Sequence, residues 1–599
     1  MFIIKTQTSK HNDTKYYTTK LVENFRTPAN KIRRRTLLNL GQGYSGVDES
    51  EWPALTTCIE EILAGAMPLF SIPDHIEKEA SRIANLLIKK HGKELTMQNS
   101  IRHFETIDIA SVENSDVKSV GAEHLSHETA KKLHLPEILA QAGFNQKQTN
   151  LALASIIGRL LSPGSEVATC DYLRKKSGLD EVMEVDFSKL SKNQLYDISD
   201  LLLKHKEKIE KALFEKEKTA LKFQETVTLF DLTNTYFEGQ SKKNDNAALG
   251  RSKEKRSDCV LVSLALVLDS SGFPKHSHIY KGNVSEPSTM EKMLQPASKE
   301  AIVVMDAGIA TEDNIAWLTE HNYKYLVISR KRNQELPVGI EGVVVKEDAN
   351  NKVTTYLVNS ADSKESELYC HSEAMEAKST DLIEKFKKRF TDALTVIKNG
   401  LSKKGGTKKY AKICERIGRL KEKYKKIAHQ YTIKITTDQS KQFATDITWE
   451  HQIKESGKNA GIYCIRTNQT QMDNQAVWNT YRMLNDVESA FRTLKTDLGM
   501  RPVYHQKTDR VSGHIFISLL AYHLLHTIRY QLKNYEINDS WETIISKLEN
   551  HYRITTSAKG KEGKIIHIRK SMRPNPEQLK IYQACQVLSI PLKTIVTEY

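Results

Sequence analysis

Three acidic residues that lie far apart along the chain are the side chains best suited to shared chemistry. Asp231 follows the apolar run at 226–230, and Asp306 follows the apolar run at 301–305. Both runs have the length of buried strands, and the carboxyl ends of strands in open α/β sheets commonly bind ligands. An aspartate after a strand is also a frequent turn residue or helix cap, so each position alone is a weak indication.

The third acidic residue, Glu488, lies in a segment with helical periodicity. Residues 481–495 are predicted to form one amphipathic helix. Its apolar stripe consists of Leu484, Val487, Phe491, Leu494 and Leu498. At about 100° per residue, Tyr481, Glu488 and Lys495 lie within roughly 40° of one another at the edge of that stripe. A carboxylate there can face a cleft, although ordinary surface heptad spacing gives the same pattern.

Clustered carboxylates have a definite chemistry if they converge. Hard divalent cations take oxygen ligands, and two Mg²⁺ ions roughly 4 Å apart can align an oxygen nucleophile and stabilise the charge of a phosphate. Arg492 and Lys495 would then be available to bind phosphate. The three acids together therefore predict metal-dependent phosphoryl transfer.

The elements that must position these acids change type along the chain, which predicts a multidomain α/β protein. A chain of 599 residues exceeds what one hydrophobic core usually supports. Short strand-like runs flank a turn signal at 27–30, and buried strand patterns begin at residue 226. The predicted domains are a β-hairpin and linker region (1–74), a mainly helical region (75–222), a first core segment (223–325), an α+β insertion (326–470), a second core segment (471–540) and a C-terminal helical region (541–599).

A basic helical hairpin is predicted within the insertion. Residues 381–428 carry 16 lysines and arginines and five acidic residues, so they hold +11 of the chain's net charge of +15. A turn is predicted at 402–407. The lysines at or beside it are Lys403, Lys404, Lys408 and Lys409. This hairpin is either an arm that grips DNA or a solvated coiled coil with lysine-rich outer faces.

Composition argues against several other classes of protein. Hydrophobic residues make up 39% and charged residues 27%, as in folded globular proteins. The seven cysteines form no Cys-x-x-Cys pair, so neither a zinc site nor a disulfide framework is indicated, which fits a reducing cytoplasm. The apolar region 515–528 is interrupted by His523 and His526, which predicts a buried helix rather than a membrane span. No nucleotide-binding P-loop motif is present, which disfavours a nucleotide-driven motor.

The ordered motifs resemble those of DDE-class insertion-sequence transposases, in the branch whose last motif is Tyr-x2-Arg-x3-Glu-x6-Lys. Tyr481, Glu488 and Lys495 match this motif in register, whereas Leu484 stands at the arginine position. The earlier motifs are matched by Asp231 with Thr233 and Asn234, and by Asp306-Ala-Gly308 followed by Asn314. Further similar segments are Leu21–Arg26, Gly250–Asp258, Gly272–Pro274, Lys281–Asn283, Arg501–Tyr504 and Gly513-His514.

This resemblance implies a fold and a mechanism. The fold would be a ribonuclease H-like mixed sheet flanked by helices, interrupted by an insertion between the second and third acids, with a mainly helical N-terminal region that binds DNA ends or serves as a scaffold. Asp231, Asp306 and Glu488 would hold two Mg²⁺ ions, for which Mn²⁺ can substitute, and Tyr481, Arg492 and Lys495 would contact DNA. The partners would be terminal inverted repeats and target DNA, bound by a homodimer on paired ends in the cytoplasm at the nucleoid.

Two other functions fit the same residues. A metal-dependent nuclease on the same fold would cut DNA without joining it. A DNA-binding protein derived from a transposase would bind without chemistry, although the retention of all three acids in order argues against it. Transfer of precleaved ends to a target separates the first alternative from a transposase.

Overall fold

The protein was analysed as a computed structural model that describes most of the chain. The described residues are 1–11, 14–26, 32–42, 44–64, 73–91, 105–221, 225–239, 241–253, 256, 258–295, 297–331, 334–359, 364–452 and 459–598. The turn predicted at 27–30 lies outside them.

Strands occur throughout the described chain, including both of its ends. They are β1 (Phe2–His11), β2 (Thr14–Arg26), β3 (Ile32–Gln42), β4 (Ile107–Ser119), β5 (Val227–Tyr236), β6 (Leu261–Asp269), β7 (Pro274–Lys281), β8 (Ile302–Met305), β9 (Lys324–Ile328), β10 (Val343–Asp348), β11 (Asn351–Asn359), β12 (Ser366–Ser372), β13 (Tyr431–Thr437), β14 (Ala444–His451), β15 (Ile462–Thr467), β16 (Tyr552–Gly560), β17 (Ile565–Ser571) and β18 (Ile595–Glu598).

Helices dominate the region before β5 and separate most of the later strands. They are α1 (Trp52–Ala64), α2 (Asp74–His91), α3 (Gly121–Lys132), α4 (Leu135–Gln141), α5 (Gln146–Leu161), α6 (Glu166–Lys175), α7 (Leu179–Val182), α8 (Lys192–Lys204), α9 (Lys206–Leu221), α10 (Met290–Leu294), α11 (Glu312–Glu320), α12 (Glu373–Ser402), α13 (Tyr410–Lys423), α14 (Lys425–Ala428), α15 (Asn474–Arg482), α16 (Leu484–Lys495), α17 (Thr508–Lys533), α18 (Trp541–Glu549) and α19 (Pro576–Ala584).

These elements form two compact units, each assembled from separate stretches of the chain. The first unit contains residues 1–129, 167–191 and 527–599, and the second contains residues 130–166 and 192–526. The mixed α/β class predicted from the sequence is confirmed, since a large mixed sheet is combined with many helices.

The first unit contains two antiparallel sheets. One has the order β1-β2-β3 and packs its apolar side chains with those of α1 and α2 in a core that includes Leu21, Leu55 and Ile83. The other has the order β18-β17-β16-β4.

This second sheet corrects one prediction. Residues 541–599 were predicted to be helical and contain three strands; the region 75–222, predicted to be mainly helical, also contains β4. β4 and β16 satisfy each other's backbone hydrogen bonds across more than 400 residues of sequence, a pairing that local periodicity does not reveal. The run Ile565-Ile-His-Ile-Arg569 is rich in β-branched residues, and this composition was the local sequence signal for β17.

The second unit is built on one nine-stranded sheet of order β10-β11-β12-β15-β9-β8-β5-β6-β7. β5, β8 and β9 are parallel to one another, and the other neighbouring strands are antiparallel. All nine residues of β6 are buried, so both faces of the sheet are covered at this strand. On one face, Phe230, Val303 and Tyr325 share a core with side chains of α10 and α11.

The predicted insertion extends this sheet and adds a helical arm. β10, β11, β12 and β15 continue the sheet beyond β9, so this part shares the sheet of the core segments. α12 and α13 form the predicted helical hairpin, and their apolar stripes meet in a core that includes Phe390, Ile397, Ile413 and Ile417. The β13–β14 hairpin packs into the same core.

One described helix, α17, has the length and apolar composition of a membrane span. Within it, 89% of the most apolar 18-residue window is buried inside the protein. The interpretation of residues 515–528 as a buried helix agrees with this placement.

Candidate active site

Asp231 and Asp306 lie next to each other on adjacent parallel strands. Phe230 on β5 pairs with Met305 on β8, and each aspartate is the next residue along the chain. β8 ends at Met305, whereas β5 continues to Tyr236 and pairs with β6. Asp231 therefore lies within a strand rather than at its end, at the point where the neighbouring strand β8 stops. The Asp306 charge raises the pKa of Asp231, so the two carboxylates lie close together at that point.

Burial and neighbouring charges perturb Asp231. Burial raises the pKa of its carboxyl to about 6, while the Lys253 ammonium lowers it and the carboxylates of Asp306 and Glu286 raise it. The Leu232 amide donates to Asp231 Oδ1 at 2.7 Å and favours the charged form. A carboxylate in this position gains from a nearby cation.

The predicted helix 481–495 is two helices. The Met483 amide donates to the Thr480 carbonyl at 3.2 Å, and the Asp486 amide donates to the Met483 carbonyl at 2.9 Å, so a tight turn joins α15 to α16. Met483 keeps helical dihedral angles, which carries the apolar periodicity through the junction and makes the two helices look like one. Tyr481 thus lies on the last turn of α15, and Glu488 and Lys495 lie on α16.

Tyr481 lies near the third acid, Glu488, and the second acid, Asp306. Its side chain is largely buried, and its pKa is raised to about 12 by burial and then by the charges of Cys370, Glu488 and Asp306. Glu488 itself is exposed on α16, a helix that packs against β5. Glu488 and Asp306 therefore both lie near the Tyr481 hydroxyl.

Lys495 lies over the same cleft, and Arg492 does not share its environment. Burial and the charge of Lys253 lower the pKa of Lys495 to about 8, while Asp231 opposes that shift. Arg492, one turn earlier, is exposed. Of the two cations predicted to bind phosphate, Lys495 is therefore placed near Asp231.

The structure adds two residues that the sequence analysis did not select, Lys253 and Glu286. Lys253 Nζ lies 3.5 Å from Asp231 Oδ1 and 3.3 Å from Glu286 Oε1, and it donates to the Leu232 carbonyl. Lys253 belongs to the Gly250–Asp258 segment, which resembles the transposase family but in which no single residue was assigned a role. Glu286 follows β7 and lacked any pattern that would distinguish it from a surface acid.

Two asparagines from the recognised motifs hold these residues in place. The Asn234 side chain accepts from the Lys253 amide at 3.2 Å and donates to the Arg251 carbonyl at 3.0 Å. The Asn314 side chain donates to the carbonyls of Pro287 at 3.1 Å and Ile309 at 2.8 Å. Asn234 therefore ties the Lys253 loop to β5, and Asn314 ties the residue after Glu286 to the turn that follows Asp306.

The three predicted metal ligands do not converge on one point. Among the described residues, one set of His, Cys, Asp and Glu side chains has ligand atoms all within 4.8 Å of one another, and its members are Glu166, His505 and His514. Asp231, Asp306 and Glu488 are more widely spaced than that, so their assignment as ligands stays a prediction. Their oxygen-only donor set suits Mg²⁺ or Mn²⁺.

The second cluster differs in its donors. His505 Nε2 lies 3.1 Å from Glu166 Oε1, and Arg159 donates to His514 Nδ1 at 3.0 Å, in a cavity of about 340 Å³. Burial and the Arg159 charge lower the pKa of His514 well below its usual range, so the imidazole is neutral. Because arginine only donates, His514 carries its proton on Nε2, and neither ring nitrogen has a free lone pair for a metal.

The lysines of the basic hairpin are placed as predicted. Lys403 and Lys404 directly follow α12, Lys408 and Lys409 precede α13, and all four side chains are exposed. Their predicted contact with DNA is not tested by this arrangement.

Comparison with known proteins defines the family. The family model described as the transposase DDE domain matches residues 222–524, half of the chain. The chain therefore belongs to this family. The family carries out phosphoryl transfer on nucleic acids and generally uses divalent metal ions. No curated protein matches the chain.

Six chains among the solved structures also match. One, a cryo-EM structure of a piggyBac transposase synaptic complex with hairpin DNA, is 8% identical over 68% of this chain and 70% of that chain, with a TM-score of 0.29. A similarity of that size defines no shared fold.

Proposed function

We propose that this protein is an insertion-sequence transposase that cleaves DNA at the element's ends and transfers the strands to target DNA in a Mg²⁺-dependent reaction. The observation that carries the proposal is the position of Asp231 and Asp306 directly after the paired residues Phe230 of β5 and Met305 of β8, inside the matched transposase domain. Tyr481, which feels the charges of both Asp306 and Glu488, supports adding Glu488 to the same site.

The strand order supports a ribonuclease H-like core. In the order β7-β6-β5-β8-β9, an antiparallel meander is followed by two parallel strands; Asp231 lies on β5 and Asp306 directly follows β8. The 181 residues between Asp306 and Glu488 contain the insertion, and α16 returns to pack on β5. This arrangement brings a late residue of the chain to an early strand.

Each side chain has a proposed role. Asp231, Asp306 and Glu488 hold two Mg²⁺ ions, with Mn²⁺ as a substitute, and the metals supply Lewis-acid stabilisation of the phosphate and activation of the attacking oxygen. Lys495 neutralises phosphate charge beside Asp231, and Arg492 and Tyr481 position the DNA backbone. Leu484 stands where the family motif has arginine, so no phosphate contact is assigned to that position.

DNA binding outside the acidic cleft is assigned to the basic hairpin. Lys403, Lys404, Lys408 and Lys409 are exposed at its turn, and the hairpin holds most of the chain's excess positive charge. We propose further that the protein acts as a homodimer on paired terminal inverted repeats, in the cytoplasm at the nucleoid.

The test is cleavage of DNA that carries the flanking ends of the native gene, with Mg²⁺ supplied or withheld. Wild-type protein should cleave only with the metal, and Asp231→Asn, Asp306→Asn and Glu488→Gln should bind the same DNA and cleave at least about 1,000-fold more slowly. Asp258→Asn, which changes an exposed acid, is the matched control. Normal cleavage by the Asp231 variant would refute the proposed site.

A further inference from the structure

We infer that Glu286 and Lys253 belong to the metal site: Glu286 supplies a fourth carboxylate, and the Lys253 ammonium is the built-in counter-ion that gives way when a divalent cation binds. This inference rests on the proposed function, because it takes Asp231 and Asp306 as metal ligands. It adds an acid that lies between β7 and β8 and a cation from the loop before β6.

The position of Lys253 marks where a cation is stable in this cleft. Its Nζ lies within 3.5 Å of Asp231 Oδ1 and 3.3 Å of Glu286 Oε1, and it also donates to the Leu232 carbonyl. Three oxygens from two elements thus face one positive charge. The same oxygens are hard ligands of the kind that Mg²⁺ and Mn²⁺ prefer.

Glu286 also approaches the second aspartate. A Cβ atom at Gly308 would lie 3.0 Å from Glu286 Oε2 and 3.1 Å from Asp306 Oδ1, so the two carboxylates flank the same small space. Gly308 leaves that space open because it has no side chain. Glu286 Oε1 therefore shares the Lys253 ammonium with Asp231, and Glu286 Oε2 lies on the same side of Gly308 as Asp306 Oδ1.

The backbone around both residues is held, which distinguishes them from a loose surface ion pair. Asn234 fixes the Lys253 amide, and Asn314 fixes the Pro287 carbonyl next to Glu286. The Lys253 side chain is 36% exposed and that of Glu286 is 34% exposed, so a hydrated ion can reach both. A counter-ion that is half-exposed can leave without unfolding its surroundings.

The test is Mn²⁺ binding to the full-length protein without DNA, followed by electron paramagnetic resonance of the free ion. Glu286→Gln should weaken binding about tenfold or more, since one carboxylate is lost. Lys253→Met should tighten binding about tenfold or more, because a positive charge a few ångströms from the ion is removed. Lys253→Arg, which keeps the charge, should bind no more tightly than wild type.

The controls separate this inference from the proposed function. Glu291→Gln and Lys243→Met change exposed residues of the same unit and should leave Mn²⁺ affinity unchanged. If Asp231→Asn weakens binding and Glu286→Gln does not, Glu286 is no ligand and the inference is overturned while the function stands. If Lys253→Met binds as wild type does, Lys253 is only a structural ion-pair partner. If Asp231→Asn also binds as wild type does, the proposed metal site itself is wrong.

Discussion

At the scale of single residues, the environment of Asp231 disfavours its charged form. Burial and neighbouring acids raise the pKa of Asp231 to about 6, above its ordinary value of 3.8. In the folded state this carboxyl therefore holds its proton to higher pH than in the unfolded state. Its contribution to stability is present below about pH 4 and is lost as the pH rises to about 6.

The raised pKa of Asp231 predicts that Asp231→Asn changes the stability of the protein in a pH-dependent way when a chelator is present. The variant should gain about 2 kcal/mol of stability relative to wild type between pH 4.5 and pH 7, because it cannot ionise. Urea denaturation at the two pH values measures the difference, and Asp258→Asn is the control. A difference between variant and wild type that stays constant with pH would contradict the raised pKa. Excess Mg²⁺ should reduce the gain, because the cation stabilises the ionised carboxylate.

Gly308 is a second residue with a testable role, because the absence of a side chain there leaves room for the carboxylates of Glu286 and Asp306. In Gly308→Ala, the new methyl group would stand about 3 Å from carboxylate oxygens of Glu286 and Asp306 and force them apart. We expect DNA cleavage to fall about 100-fold, in line with the cost of misplacing a reacting group by roughly 1 Å. Gly418→Ala on α13, where nothing lies within 4 Å of the new methyl group, is the control. Equal cleavage rates in the two variants would show that the carboxylates tolerate the change.

At the scale of elements, the basic hairpin of α12 and α13 separates DNA binding from chemistry. Replacing Lys403, Lys404, Lys408 and Lys409 by Gln should lower the slope of log affinity against log salt by up to about 3 to 4, because each phosphate contact releases about 0.9 counterion. Cleavage of DNA at saturating protein should remain.

Removing the same number of charges elsewhere provides the control for the hairpin. Lys561, Lys564, Lys570 and Lys580 are equally exposed and belong to the first unit. If both quadruple variants change the salt slope by the same amount, the hairpin makes no special contact and is a solvated arm.

The elements that the sequence predicted correctly are those specified by local pattern. β5 and β8 appear where apolar runs predicted them, and the α12–α13 hairpin lies in the basic segment where it was predicted. Each pattern reflects burial on one or two faces, which is a local property of sequence. The split between α15 and α16 was missed because Met483 keeps helical dihedral angles.

Features that depend on contacts between distant segments were not predictable in this way. The pairing of β4 with β16 and the approach of Lys253 to Glu286 both join residues that only the tertiary fold brings together. Two aspartates after strands suggested one site because parallel neighbours end at the same edge of a sheet. Lys253 and Glu286 have no such rule, since a loop lysine and a loop glutamate are most often solvated.

At the scale of the whole molecule, the chain divides its tasks between two units. All residues proposed for chemistry and for the basic hairpin lie in the second unit, which also contains the matched transposase domain. The first unit contains neither the three acids nor the hairpin lysines, and its two sheets combine the N- and C-terminal parts of the chain. The second unit of each chain supplies one set of three acids. Because joining two DNA ends takes two active sites, two copies of the chain would be required.

A mixing experiment tests whether two copies act together on paired ends. Asp231→Asn protein should bind DNA and dimerise normally, so equal amounts of variant and wild type should leave about a quarter of the dimers with two intact sites. Concerted transfer of both ends should then fall to about a quarter of the yield of wild type alone at the same total concentration. Transfer of a single end should fall only to about half, since it needs one intact site. If concerted transfer also falls to half, each copy acts independently, and the proposed homodimer on paired ends is wrong.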